Sequence, residues 1–201
     1  MNSRNVTLPV RDRILNIAEE LILSRGFSSM SVETICSQAA ITKGGFFHHF
    51  RNKESLGEAV LEKFWSDAVA RIQQVQQSQY ASHLDFVRAY LDHAIHCYQD
   101  PKISRGCMLA IFTMGLADTN PALYELTQQC LENWRADLVA MFEALKQEQQ
   151  PMDFDPQAWS ELYIATLEGA LVLAKARSDT TVVARTLGMF KQHLMQAVSA
   201  H

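Results

Sequence analysis

Apolar residues recur at helical spacing along nearly the whole chain, and no segment alternates the way a strand does. After Pro9, residues Ile14, Leu15, Ala18, Leu21 and Ile22 line one side of a helix. Gly26 supplies its stop, and Phe27 folds back on it. Ser31 caps a short helix over 32–39, with Val32, Ile35, Cys36 and Ala39 inward. Ala40, Ile41 and Thr42 form a brief break, and Thr42 caps a second short helix over 43–49. Asn52 caps a longer helix over about 53–77. The polar stretch QQVQQSQYASH, 73–83, marks a junction. Helices over about 84–98 and 104–117 follow, separated by Asp100-Pro101. Asn120-Pro121 and Asp155-Pro156 each pair a capping side chain with proline in the first helical turn. The first pair starts a helix reaching about Gln147. The second starts one that presents Trp159, Leu162, Tyr163, Leu167, Ala170 and Ala174. A last helix covers about 181–198, and glutamines cluster at 73–79 and 147–150.

Composition agrees with a packed all-α chain. Apolar residues make up 48% of 201 positions, and eight glycines and five prolines are too few for a turn-rich β fold. No apolar run approaches the ~20 residues that a membrane span needs. The start, MNSRNVTLPVRDRIL, becomes polar too soon for a secretory signal. Cys36, Cys97, Cys107 and Cys130 are widely spaced and form no CxxC, which fits a reduced, cytoplasmic protein. The net charge of −4 argues against bulk nucleic-acid binding. The charge is unevenly spread, however. Residues 1–65 hold 8 Lys/Arg against 7 Asp/Glu, and residues 66–201 hold 10 against 15.

The chemistry concentrates in ITKGGFFHHFRNKESL, 41–56. Two short helices joined by about three residues make a helix-turn-helix, whose second helix enters the major groove of DNA. Gly44 and Gly45 then remove side chains where the helix start meets the DNA backbone, so that N–H groups reach phosphate. Thr42 offers a hydroxyl, Lys43 and Lys53 offer charge, and His48 can bond bases or phosphate. Phe46 and Phe50 pack inward on Ile14, Leu21 and Ile35. The same spacing also suits two short helices of an ordinary bundle with glycines in the loop.

Particular residues add to this pattern. They are Arg13-Ile14-Leu15, Ala18, Leu21, Gly26-Phe27, Ser31-Val32-Glu33-Thr34-Ile35, Ala39-Ala40-Ile41-Thr42-Lys43-Gly44, Phe46-Phe47-His48-His49-Phe50 and Lys53-Glu54. Through them residues 11–57 resemble the N-terminal domain of the TetR family of bacterial repressors. The resemblance implies DNA contacts from Ser31, Thr42, Lys43, Gly44, Gly45, Phe47, His48, His49 and Lys53. Where this chain has Gly45 the family often has Ser or Thr, and it often has Tyr at Phe47 and at His49. A phenylalanine ring can pack on sugar but cannot bond phosphate. Gly45 offers only its backbone.

The resemblance implies an all-α architecture in two parts. A three-helix, helix-turn-helix DNA-binding domain covers 1–55, and a helical ligand-binding and dimerisation domain covers 56–201. It further implies a homodimer on a palindromic double-stranded DNA operator, released by a small-molecule effector. Small residues Ala165, Gly169, Ala170, Ala174 and Gly188 on the last two helices would let a four-helix bundle form across a two-fold axis. The same residues would serve equally to finish the monomer's core. His93, Cys97, Cys107, Phe112, Trp134 and Tyr163 are the candidate ligand residues, since apolar walls with a few polar groups suit an amphipathic molecule. Each would also fit an ordinary core. Cys107, in SRGCML, stands at a helix start beside Arg105, a setting that favours thiolate. Some repressors of this family sense electrophiles or oxidants through a cysteine in a similar Gly-Cys setting. The other reading is a buried, inert thiol. His93 and Cys97 share a helix face, but two ligands on one helix do not make a metal site.

No P-loop, GxSxG, HExxH or GxGxxG is present. The expectation is therefore a regulator rather than an enzyme, with no cofactor and no membrane partner. The alternative is an all-helical small-molecule-binding protein or enzyme that does not bind DNA.

Overall fold

The computed structural model describes residues 8–149 and 154–199, so Gln150 of the second glutamine cluster lies outside them. Among the described residues there are nine α-helices and no strand. The chain forms two compact units. The first comprises the chain up to Asp67 together with Met108–Cys130. The second comprises Ala68–Cys107 and Leu131 onward. Two long helices, α4 (Lys53–Gln76) and α7 (Pro121–Glu148), contribute to both.

The first unit opens with α1 (Val10–Arg25), which ends at Gly26 with φ of +80°. Helix α2 (Val32–Ala39) starts at Ser31, whose hydroxyl accepts from Thr34 N–H at 3.1 Å. Helix α3 (Lys43–Phe47) starts at Thr42, whose hydroxyl oxygen accepts from Gly45 N–H at 3.1 Å. Each such cap satisfies one orphan donor and contributes about 1 kcal/mol. The expected helix over 43–49 stops at Phe47. Two glycines weaken it, and the start of α4 follows almost at once, where Asn52 Oδ1 accepts from Ser55 N–H at 2.8 Å. Helix α6 (Met108–Leu116) packs on α1. The expected helix over 104–117 is divided. A 3-10 turn, Ile103–Arg105, precedes Gly106, whose φ of +149° lies outside helical space.

Gly57 of α4 is demanded by packing inside this unit. A Cβ there would lie 2.6 Å from Phe27 Cε2 and 3.0 Å from Leu123 Cδ2. Phe27 folds back as expected and meets Phe112 edge-to-face, with ring centroids 5.6 Å apart.

In the second unit, α8 (Pro156–Arg177) packs on α9 (Thr181–Ser199), and α9 packs on α5 (His83–Cys97). The Asp155-Pro156 start forms as expected, with Asp155 Oδ1 accepting from Gln157 N–H at 3.0 Å. The N-terminus of α5 is closed twice: by Ser82, and by Glu148, whose carboxylate accepts from the N–H groups of His83 and Leu84 at 2.9 and 3.0 Å. Its core is aromatic in character, built on Tyr90, Phe142, Phe154, Tyr163 and Phe190 with the aliphatic side chains of α5, α8 and α9.

Candidate nucleic-acid interface

The turn between α2 and α3 is fixed by backbone bonds and two side chains. Ala40 takes the left-handed conformation, φ +52°, and Ile41 N–H bonds the Cys36 carbonyl at 3.0 Å, closing α2. Arg13 of α1 donates to the Ala39 carbonyl at 2.9 Å, so the first helix holds the end of the second. The Cys36 thiol reaches the Thr42 carbonyl at 3.7 Å. Beneath α3, Phe46 and Phe50 are buried, as are Ile14, Leu21 and Ile35. These anchors leave α3 lying on the surface. Thr42, Lys43, Gly44, Phe47 and His48 are exposed, and Gly45 and His49 half-buried. The Phe47 ring is 53% exposed, which is unusual for so large an apolar group.

The two glycines of α3 differ from Gly57. A Cβ on Gly44 would come no nearer than 3.7 Å to Thr42 Oγ1, and one on Gly45 no nearer than 3.6 Å to Ile41 Cβ and Thr42 Oγ1. Neither residue has a positive φ. The fold would accept a side chain at both positions. Glycine nevertheless costs about 1 kcal/mol relative to alanine in a helix. Packing inside the unit therefore gives no reason for glycine at either position.

Other site residues are already engaged. Ser31 is committed to the start of α2, bonding Thr34 through both its N–H and its hydroxyl. The Lys43 ammonium is paired with Glu33, a partner that sequence reasoning did not supply. That hydrogen bond raises the pKa of Lys43 and is the largest cause lowering that of Glu33. Lys53 donates to the Ser28 carbonyl at 3.2 Å and lies 4.5 Å from the centroid of the Phe27 ring. Partial burial lowers its pKa, with Glu54 opposing. It borders a shallow cleft of about 200 Å³ with Ser28, Leu116 and Asn120.

The candidate ligand residues do not form one group. Phe112 belongs to the first unit, fully buried against Phe27, and so is separate from the rest. Helical spacing reveals that a residue is inward but not which core it enters. Trp134 and Tyr163 do meet, with centroids 6.2 Å apart. Both donate to the hydroxyl oxygen of Tyr90, whose own burial pushes its pKa up to about 12. Cys97 Sγ lies 3.3 Å from His93 Nε2, and burial raises the thiol's pKa. Among the described residues no group of three or more His, Cys, Asp or Glu could hold a metal ion.

Cys107 immediately precedes α6 rather than lying in its first turn. Its thiol donates to the Glu168 carboxylate, and burial raises the pKa of that carboxylate. A neighbouring carboxylate opposes thiolate, whereas a helix start favours it. Glu168 gave no signal in the sequence, where it reads as one more polar residue on α8.

Comparison with known proteins decides the family. Residues 84–190, more than half of the chain, match the tetracyclin repressor-like C-terminal domain, and residues 14–60 match the tetR family of bacterial regulatory proteins. The chain belongs to the TetR family. It is a ligand-responsive, DNA-binding transcriptional repressor and not an enzyme. Among named relatives, the Escherichia coli K12 repressor NemR is 28% identical over 152 residues, 69% of this chain and 76% of that one. The repressor DhaR of Mycobacterium sp. GP1 is 24% identical over 168 residues, 83% of each. The regulator UidR of Escherichia coli K12 is 38% identical over 73 residues, covering 36% of this chain and 37% of its own. In structure, a regulatory protein TetR from Rhodobacter sphaeroides superposes with a TM-score of 0.78 at 22% identity, covering 92% of this chain and 98% of that one. The reduced form of Escherichia coli NemR gives 0.73 at 23%, covering 91% and 95%. Both structural likenesses show the fold.

Proposed function

We propose that this TetR-family repressor binds a palindromic operator as a cytoplasmic homodimer and leaves it when a small molecule binds or Cys107 is modified. The observation that carries the proposal is the bare face of α3, whose glycines the fold itself does not require. In this reading Thr42 donates its hydroxyl to phosphate, Lys43 exchanges Glu33 for phosphate, and Gly44 and Gly45 let the strand approach. Phe47 packs on sugar, and His48 and His49 bond bases or phosphate. Ser31 and Lys53 hold the flanking segments in register. Residues 1–55 form the reading domain, and residues 56–201 carry effector binding and dimerisation.

Leu162, Val172, Leu173 and Met189 support the dimer. They are large apolar side chains left exposed on α8 and α9, and a Cβ on Gly169 or Gly188 would meet nothing. Effector binding is assigned to the side of the second unit where His93, Cys97, Trp134 and Tyr163 lie. The hydrogen bond between Cys107 and Glu168 supports release by modification, because it places a proton acceptor beside the nucleophile. Ligand or modification acts by favouring a conformation whose two reading helices are wrongly spaced for the duplex.

Fragments of the source genome bound by the protein are recovered and footprinted. The expected footprint is two inverted half-sites about one helical turn, roughly 34 Å, apart. Alkylation that adds mass to Cys107 is expected to release the recovered fragment. A single unpaired half-site, or no protected sequence, overturns the dimeric repressor reading.

A further inference from the structure

Lys43 and Glu33 are placed on the same surface by the starts of two different helices. Lys43 is the first residue of α3, and Glu33 is the second residue of α2. Both side chains are well exposed, 60% and 64%, so the pair is open to a competing anion. The two ends of the pair are not equally tethered. The Glu33 carboxylate also bonds its own backbone N–H and the Ser31 hydroxyl at the start of α2. The Lys43 ammonium is carried on a flexible stem. A phosphate that captures Lys43 therefore leaves Glu33 in place, beside the strand.

We propose that Glu33 is an intramolecular phosphate mimic that limits DNA affinity: it holds Lys43 in the free protein, and the duplex must displace it. The inference rests on the DNA-binding reading above. Its signature lies in ion exchange. A lysine that meets phosphate releases a cation condensed on DNA, and each such release steepens the salt dependence of binding by about 0.9 in log–log slope. When that lysine abandons a carboxylate, the carboxylate attracts a cation in turn and offsets the release. Glu33 therefore flattens the salt dependence and holds down binding to any duplex, operator or not. Such restraint favours discrimination, because affinity for unspecific DNA is what competes with the operator.

The test uses the full-length protein and a 30-base-pair duplex of random sequence, titrated by fluorescence anisotropy across a range of KCl. Glu33→Gln keeps the size and polarity of the side chain and removes its charge. It is expected to bind on the order of tenfold more tightly at low salt, as removal of one facing like charge per reading helix allows. Its slope is expected to steepen by about two per dimer, one for each α3. In a Lys43→Gln background the same Glu33 change is expected to leave the slope unaltered. Thermal unfolding of each variant confirms that it is folded, and Glu33→Ala provides a second charge-free variant should Glu33→Gln fail to fold. An unchanged slope on removing Glu33 overturns the inference alone. So does an equal gain in the Lys43→Gln background, since Glu33 would then repel DNA without acting through Lys43. If the wild type binds no duplex at any salt, the DNA-binding reading falls and the inference with it.

Discussion

The start of α3 and the aromatic core of the second unit obey opposite rules. In α3 the small residues stand where the fold has room for larger ones, and the large ring of Phe47 lies in solvent. In the core, Tyr90, Tyr163 and Trp134 are large, inward and joined by hydrogen bonds to one hydroxyl. A helix that departs from its own stability preferences on the surface indicates a requirement from outside the chain. A core that follows those preferences indicates only that it is a core. The proposed DNA contacts therefore carry a mark in the sequence, and the proposed effector contacts do not.

The contrast predicts where substitutions should act. The largest effect belongs to Tyr163→Ala, which empties a position only 2% exposed and removes a donor to Tyr90. A loss of about 3–5 kcal/mol is expected by urea unfolding, as for other aromatic truncations. A loss below 1 kcal/mol would mean that the ring lines open space and that the second unit is less closed than described.

A smaller effect, visible through pH, belongs to Glu148. Its carboxylate closes the N-terminus of α5, and those backbone N–H groups hold its pKa below the ordinary carboxylate value. A folded-state value below the unfolded one means stability that is present at neutral pH and lost as pH falls through the carboxylate range. The melting temperature of Glu148→Gln should therefore lie below that of wild type at pH 7, and the gap should close in acid. A gap that widens in acid has the wrong sign for this account.

The smallest effect on stability belongs to Lys43→Ala, whose surface ion pair with Glu33 is exposed at both ends. Its melting temperature should match that of wild type, while affinity for DNA falls across sequences. A matching fall in melting temperature would place Lys43 in a structural role.

Much of the fold was readable because helix starts are local chemistry. Ser31, Thr42, Asn52 and Asp155 each cap the helix expected of them, and Asn120 Oδ1 accepts from Leu123 N–H at 3.1 Å. What spacing could not supply is non-local. Gly106 breaks the helix expected over 104–117 through a backbone angle that leaves no pattern of its own. Phe112 reads as inward, but periodicity does not say that it meets Phe27 rather than Trp134. The pairs Lys43–Glu33 and Cys107–Glu168 join residues ten and sixty-one positions apart, on segments whose approach only the fold determines. The candidate residues on α3 stand out in the sequence because their departures from helix preference are visible in one dimension. Those of the second unit satisfy ordinary core rules and carry no such mark.

The most direct measurement of the central claim compares wild type with Gly44→Ala and Gly45→Ala, in operator affinity and in melting temperature on the same samples. A methyl group fits the free protein at both positions and improves the helix, so the melting temperature should not fall. The same methyl group obstructs the approach of a DNA strand, so affinity should fall by roughly tenfold or more, a penalty of about 1.4 kcal/mol. Undiminished affinity in both variants would show that nothing comes close to the start of α3, and would contradict the account.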